Sequence, residues 1–431
     1  MKISKLVTVL LFASLSLVPA EAFSNGYTFP WPGGELSGPG VANGAGIYWN
    51  PASIGVIDTN SIFITVEPTY EYTSYQRYGY DLNGNPYRRV SFHEWAALPT
   101  FALTLKLPEN FSLGLGVYVP FARVVNFPSD GPERFNGISA NLFFINGTLT
   151  LAYRITPSLI IGAGGSYSEG YLDAYQSTSV DYNNPSDETP LNEAKVHLKN
   201  NQGATGEWNI GIYFKPTDSF AVGLSYMART YYILRGKADV VLSPQWGQFA
   251  GTNEITADSK MELSMPQEIN FGLHFKPAYN WIVDVTEQWI NWSEYKYIKV
   301  TLTNASSNIL YPDPTHHSRT MQLATGFEDT LSSKVWAGYK GFEKWLLAGG
   351  VTYDPSGIPL NHIYSLNMEF NKMEVFAEVD YTISPSSTIG LGYDHNFTQD
   401  NNVTDSVIQP SSNGLYKGNI EKITLLYIYK F

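Results

Sequence analysis

Hydrophobic and polar residues alternate along much of this chain with a period of two. The alternation is clearest over 111–121, 159–166, 269–276, 375–381 and 389–394. A period of two places successive side chains on opposite faces of a β-strand. We therefore predict an all-β chain.

The spacing of turn residues predicts how these strands connect. Six short, turn-rich connections lie between alternating segments and are typical of hairpins, at 107–111, 155–158, 215–219, 276–280, 341–344 and 383–387. Long polar stretches separate them, at approximately 171–203, 236–262, 300–326, 354–372 and 394–418. Short turns at one end and long loops at the other are the pattern of outer-membrane barrels. Adding one strand at about 60–75 and one at about 419–431 predicts a 14-stranded antiparallel transmembrane β-barrel.

The last strand supports a closed barrel. Its alternate residues end on a terminal aromatic: Ile423, Leu425, Tyr427, Tyr429 and Phe431. This ending resembles the signal that the outer-membrane assembly machinery recognises, so we expect that machinery as a partner. Pairing of the last strand with the first removes an exposed edge, and within lipid every backbone group must be paired internally.

Composition agrees with a membrane barrel. Charged residues make up 15% of the chain, against about 25% in soluble proteins. The chain contains 30 Tyr, 23 Phe and 10 Trp, and it has no apolar run long enough for a helical span, since even the N-terminal run over 6–18 is too short. A formal charge of −12 argues against nucleic-acid binding, which needs a basic face.

Residues 1–22 form a predicted signal peptide. Lys2 and Lys5 precede an apolar run over 6–18, and Ala20-Glu21-Ala22 fits a cleavage site. The alternative, an uncleaved anchor, is disfavoured because nothing after Ala22 extends the apolar run. We expect export to the bacterial outer membrane, and a monomer surrounded by outer-membrane lipid.

Residues 23–58 precede the barrel, 59–431, and carry no strand pattern. They are rich in proline and glycine, and Trp31, Tyr48 and Trp49 add bulk. A barrel of about fourteen strands leaves an open lumen unless something fills it. We therefore predict that this segment is a luminal plug, or hatch. The alternative is a disordered periplasmic tail.

Four ordered stretches carry a family resemblance. They are 40–52, with Asn50, Pro51 and Ala52 at its end; 263–273, followed by Trp281, Asp284, Trp289 and 291–293; 353–359; and the C-terminal strand. In these stretches the chain resembles the FadL family of outer-membrane transporters of hydrophobic compounds. The resemblance implies capture at outer loops, a luminal pocket near the start of the mature chain, and lateral exit at an inward kink of the third strand. Here the kink falls within about 111–123, at Pro120 or at Gly114 and Gly116.

A fatty acid needs an apolar slot and a cation for its carboxylate. The candidates for the slot are Phe23, Tyr27, Phe29, Trp31 and Trp49, with plain plug packing as the alternative. Arg229 and Lys334 are the candidates for the cation, because strand parity places both on the inward face. Inward basic residues also simply line a wet lumen, which is the alternative for this pair.

No catalytic site, metal or cofactor is predicted. The chain has no cysteine and no G-x-S-x-G motif, and the His316-His317 pair has too few partners for a metal site. The predicted function is passive uptake of hydrophobic small molecules, with long-chain fatty acids first and aromatic or alkane hydrocarbons as the alternative. A surface adhesin or receptor barrel is the alternative of another class, and a general porin is disfavoured by the predicted plug.

Overall fold

The computed structural model describes residues 31–181, 184, 186–310 and 317–431. The predicted signal peptide, with Phe23, Tyr27 and Phe29, lies outside these residues. The strands are β1 (Ser61–Arg77), β2 (Val90–Lys106), β3 (Phe111–Asn126), β4 (Ser139–Thr156), β5 (Leu159–Ser179), β6 (Glu193–Thr217), β7 (Phe220–Met227), β8 (Thr230–Leu242), β9 (Glu254–Met265), β10 (Glu268–Ala278), β11 (Trp281–Ile290), β12 (Tyr297–Thr303), β13 (Ser318–Ala324), β14 (Thr330–Tyr339), β15 (Trp345–Asp354), β16 (Lys372–Ser384), β17 (Ser387–Thr398), β18 (Asn401–Val403) and β19 (Gly414–Lys430).

The helices are short. In the part of the chain that the structure describes, two are α-helices, α1 (Gly46–Trp49) and α2 (Pro244–Ala250). Four more are 3-10 helices, at Ser53–Val56, Trp292–Glu294, Asn308–Leu310 and Leu360–His362. Among the described residues, no helix is long and apolar enough to cross a membrane.

The strands form one closed antiparallel sheet. β1 pairs with β19 from Ser61↔Lys430 to Arg77↔Gly414, which removes the sheet edge. Five spans are each interrupted once, as β7–β8, β9–β10, β11–β12, β13–β14 and β17–β18, so the nineteen segments make fourteen spans. The predicted 14-stranded barrel and its six hairpin turns are confirmed.

The predicted outer loops are wrong in extent. β5 continues to Ser179 and pairs with β6 from Glu193, so much of 171–203 is strand. Similarly, β8 and β9 pair over most of 236–262. In these strand ends apolar residues such as Ala238, Val240 and Ile255 are buried inside, and polar residues such as Lys237 and Thr256 face outward. This is the reverse of the pattern of a strand in lipid, so the stretches resemble polar loops in the sequence.

The residue types on the outer surface of the barrel change along its axis in the way that a membrane requires. Aliphatic side chains such as Leu115, Leu151, Ile161, Ile212 and Leu224 are 40–49% exposed around its middle. Aromatic pairs flank this band at both ends, as girdles do in outer-membrane barrels. The turn end has Phe111–Tyr153, Trp281–Tyr339 and Trp345–Tyr381, and the loop end has Tyr70–Trp95, Phe143–Tyr171 and Trp208–Tyr226.

Residues 31–57, called here the hatch segment, lie inside the barrel. Most of their aromatic and aliphatic side chains are buried, and these pack against inward-facing residues of β1, β2, β4 and β6. The backbone at Pro51 and Ala52 lies directly on β5, where a Cβ on Gly162 would come within 2.4 Å of the Ala52 nitrogen. Glycine at 162 therefore allows the hatch segment to lie against the wall.

We predict that Gly162→Ala destabilises the protein by about 1–3 kcal/mol, the usual cost of overpacking. The matched control is Gly165→Ala in the same strand, where a Cβ meets nothing within 4 Å. Alanine there is expected to be neutral or slightly stabilising. Thermal unfolding, followed by the heat-dependent gel mobility of the barrel, measures both. Equal midpoints for the two variants would contradict the close contact.

Candidate functional site

Asn50 fixes the hatch segment to the wall. Its side-chain nitrogen donates to the carbonyls of Pro39 and Ile212 at 3.2 and 3.0 Å, and its side-chain oxygen accepts from the Ala52 N–H at 3.1 Å. One side chain therefore joins two parts of the hatch segment to β6. The sequence-predicted residues Asn50, Pro51 and Ala52 lie together at this contact.

Trp31 and Trp49 form the packed centre of the hatch segment. Their rings stack at 4.9 Å, and the Trp49 indole N–H donates to the Pro32 carbonyl at 2.8 Å. Both side chains are buried among residues of the hatch segment and the wall. This arrangement matches the packing alternative for the two residues and leaves no apolar slot between their rings.

Lys334 points inward as parity predicts, and it binds the hatch segment. Its Nζ donates to the Ser37 carbonyl at 2.9 Å and lies 3.6 Å from Glu35 Oε2. The same ammonium lies 4.2 Å from the Trp31 ring centroid, a cation–π contact. Because Lys334 is fully buried with these partners, it anchors the hatch rather than offering a free charge to a ligand.

Glu35 joins a buried charge cluster with three strands. Its carboxylate accepts a hydrogen bond from Lys422 on β19, and Lys422 Nζ lies 3.4 Å from Glu374 and 4.0 Å from Asp394. The carboxylates of Glu35, Glu374 and Asp394 are close enough together to share a cation. The Lys422 ammonium already lies among them, so the cluster is a second ionic anchor for the hatch segment.

The prediction that Arg229 points into the lumen is wrong. Met227 and Ala228 are both buried in succession, so the alternation shifts by one residue between β7 and β8. Arg229 consequently shares the exposed face with Tyr231 and pairs with Glu294 at 2.5 Å. It does not line the lumen.

An apolar cavity of about 470 Å³ lies in the loop end of the barrel. Its lining includes Leu142, Leu172, Val300, Leu302, Met321 and Leu366, from β4, β5, β12, β13 and the segment before β16. Arg123 and Arg319 also line it. Sequence reasoning missed this outer cavity, because several of its residues belong to stretches that were predicted to be loops.

β3 departs from the wall beside this cavity. Its pairing with β2 ends at Phe101↔Val117, although β2 begins at Val90 and β3 continues to Asn126. A bulge between Tyr118 and Phe121 also shifts its register with β4. Pro120 lies in this bulge, whereas Gly114 and Gly116 lie in regular pairing on both sides.

The bulge reverses the faces of β3. Val117 is 44% exposed on the outer surface, whereas Val119 and Phe121 are 8% and 3% exposed. The predicted unbroken alternation over 111–121 is therefore wrong after Val117. A small cavity, the lateral gap, lies between the separated strands and is lined by Glu71, Glu94, Ala96, Ala122 and Arg123 among others.

Aromatic side chains separate the outer cavity from the hatch segment. Phe121 contacts Trp292 with ring centroids 5.6 Å apart, and Trp292 contacts Phe327 at 5.2 Å. Below them Tyr118 meets Tyr48 of the hatch segment at 5.3 Å. A molecule in the outer cavity thus faces a packed floor, with the lateral gap to one side.

The loop 127–138, between β3 and β4, lines part of the outer cavity through Phe135 and Asn136. Glu133 of this loop is fully buried, and neither carboxylate oxygen has a hydrogen-bond partner among the described residues. Burial raises the pKa of Glu133 from its ordinary value of 4.5 to about 7, partly offset by Arg88 and Arg134.

Comparison with known proteins gives a consistent set of relatives. The family model for outer membrane protein transport proteins (OMPP1/FadL/TodX) matches residues 22–431. The chain is 20% identical over 415 residues to a long-chain fatty acid transport protein of Escherichia coli O6:H1, covering 89% of each.

Two crystal structures show the shared fold. A Pseudomonas aeruginosa FadL homologue superimposes with a TM-score of 0.80 at 18% identity, covering 94% of this chain and all of that one (100%). The Pseudomonas putida toluene transporter TodX superimposes with a TM-score of 0.68 at 16% identity, covering 95% and 99%.

We predict that Lys334→Met loosens the hatch segment and raises the ion conductance of the barrel in planar bilayers. Removing one partner of a buried ion pair costs about 3–5 kcal/mol, because the other charge stays buried. Arg229→Met is the matched control, since an exposed pair contributes about 0–1 kcal/mol. If both variants conduct like the unmodified protein, Lys334 does not hold the hatch.

We predict that the loop 127–138 is better protected at pH 5 than at pH 8. The folded state keeps a proton on Glu133 that the unfolded loop releases near its ordinary pKa of 4.5, so loop stability falls as the pH rises from there to about 7. Hydrogen exchange, expressed as protection relative to intrinsic rates, measures this change.

Glu133→Gln is expected to remove the pH dependence of loop protection. Asp130→Asn serves as the control in the same loop, because the Asp130 side chain is 78% exposed. A pH dependence that persists in Glu133→Gln would show that another group is responsible.

Proposed function

The chain belongs to the OMPP1/FadL/TodX family of outer membrane transport proteins, and we propose that it admits long-chain fatty acids by passive movement through the barrel. The proposed route starts in the outer cavity and leaves sideways through the lateral gap. No step requires energy from the protein itself, since hydrophobic molecules partition into lipid unaided.

One observation carries this proposal: an apolar cavity opens at the loop end of a barrel whose lumen is filled below it. The cavity volume of about 470 Å³ is in the range of small-molecule sites. The hatch segment and its two ionic anchors block the axial path, and the lateral gap adjoins the cavity through their shared lining residue Arg123. A hydrophobic molecule is suited to this route because it can enter the bilayer directly.

The relatives are named for two kinds of substrate. The Escherichia coli relative is a long-chain fatty acid transport protein, and the Pseudomonas putida neighbour is a toluene transporter. We favour fatty acids for this chain because the cavity is far larger than one aromatic ring and includes two arginines in its lining. Aromatic or alkane hydrocarbons are the second candidate, supported by the wholly aliphatic stretches of the same lining.

A porin or an adhesin function has less support. A general porin needs an open polar lumen, whereas residues 31–57 fill this one. An adhesin has no use for an apolar cavity beside a gap in its wall. The proposal is also one of transport rather than catalysis, in agreement with the transport function in the family description.

We predict that cells producing this protein take up labelled oleate faster than cells without its gene, and labelled toluene less markedly. Ala174→Trp, which fills the outer cavity, is expected to lower oleate uptake several-fold. The control is Ala163→Trp in the same strand, on the exposed outer face. Unchanged uptake of both compounds on production of the protein would contradict the proposed function, and faster toluene uptake alone would favour the hydrocarbon alternative.

A further inference from the structure

Arg123 occupies a distinctive position between the two cavities. It lies on β3 just beyond the bulge, and its side chain lines both the outer cavity and the lateral gap. The side chain is 9% exposed. A guanidinium is always charged, so burial to this degree calls for partners.

The guanidinium is only partly satisfied. Nη1 lies 3.4 Å from Glu71 Oε1, a carboxylate on β1 that reaches Arg123 past the lateral gap. Nε and Nη2 have no hydrogen-bond partner among the residues that the structure describes. Buried donors without partners are rare, because each costs its full desolvation energy.

The two unpartnered nitrogens lie on the same edge of the guanidinium. The N–H bonds of Nε and Nη2 are nearly parallel, which is the geometry that binds both oxygens of a carboxylate at once. Among the described residues, no acidic group forms a hydrogen bond with this edge. Glu71 approaches Nη1 and also accepts from Thr73 at 3.0 Å, while Glu369 is paired with Lys372 at 3.1 Å.

The surroundings of this edge complete a site for an amphiphile. The outer cavity beside it presents aliphatic side chains, including Leu142, Leu172 and Met321, to a long hydrocarbon tail. An anionic head group at Arg123 would place that tail in the cavity and the head at the entrance to the lateral gap. A neutral hydrocarbon would gain nothing from this arginine.

We propose that the Nε and Nη2 edge of Arg123 binds the carboxylate of a fatty acid and makes the protein selective for anionic amphiphiles over neutral molecules of the same length. This inference rests on the proposed function, and it assigns the head-group cation to a residue different from Arg229 and Lys334. Glu71 lies beside Nη1 and forms no hydrogen bond with the Nε and Nη2 edge.

The test compares binding of oleate and oleyl alcohol, which share a tail and differ in charge. The full mature chain in lipid nanodiscs is titrated with each at pH 8, where a carboxylate is ionised. Arg123→Gln is expected to weaken oleate binding on the order of ten- to a hundredfold, as expected for loss of charge-assisted hydrogen bonds, and to change oleyl alcohol binding less than about twofold.

Two further variants separate the role of Arg123 from a general effect. Arg319→Gln removes another cation from the same cavity and is expected to change oleate binding much less than Arg123→Gln does. Glu71→Gln removes a competing negative charge and is expected to strengthen oleate binding. A misfolded variant loses binding. Misfolding therefore could not explain weaker oleate binding in Arg123→Gln together with stronger oleate binding in Glu71→Gln.

The possible failures are distinguishable. If the unmodified protein binds neither compound, the proposed function itself fails. If it binds both, and Arg123→Gln weakens them equally or not at all, the proposed function stands and the assignment to Arg123 is overturned. An equal loss of oleate binding in Arg319→Gln would also overturn it, because positive potential alone would then explain the preference.

Discussion

The structure depends on one constraint: every backbone N–H and C=O group inside the lipid must be hydrogen-bonded within the protein. The pairing of β1 with β19 meets this requirement by closing the sheet. Fourteen spans enclose a lumen too wide for wall side chains alone to fill. The hatch segment packs inside this lumen, and we propose that it removes the axial route for a solute.

The same constraint means that a break in the wall, such as the lateral gap, carries an energetic cost. Between β2 and β3 the ladder stops at Phe101↔Val117, although both strands continue. Such a break leaves backbone groups to be satisfied elsewhere, and the bulge at Pro120 turns β3 inward, away from lipid. Next to that turn lie the outer cavity and Arg123. The interruption of the wall, which carries an energetic cost, therefore lies at the place where we propose that a hydrophobic substrate leaves the barrel.

Local pattern made much of the fold predictable. The period of two and the six turns depend on neighbouring residues, and they gave the spans, the turn end and the closed barrel. The inward direction of Lys334 also followed from parity. Parity failed for Arg229 and beyond Val117, because one extra residue in a bulge moves all later side chains to the other face. Pro120 was one candidate position for the kink of β3, whereas no sequence signal marks the shift before Arg229.

The site itself was less predictable than the wall. Lys334 was identified as an inward cation, but its engagement with Glu35 and Ser37 depends on how the hatch segment folds back on distant strands. Arg123 gave no signal, since it follows the bulge and reaches the outer cavity only because β3 turns inward. The outer cavity joins residues from β4 to the segment before β16, which no local pattern connects.

The most direct measurement closes the lateral gap reversibly. The chain has no cysteine, so Ala96→Cys and Ala122→Cys place two unique thiols on opposite sides of the gap. They can be joined by a bifunctional reagent whose spacer contains a reducible disulfide. If substrates leave sideways, cross-linking abolishes oleate uptake and reduction restores it. Undiminished uptake after complete cross-linking would contradict a lateral exit.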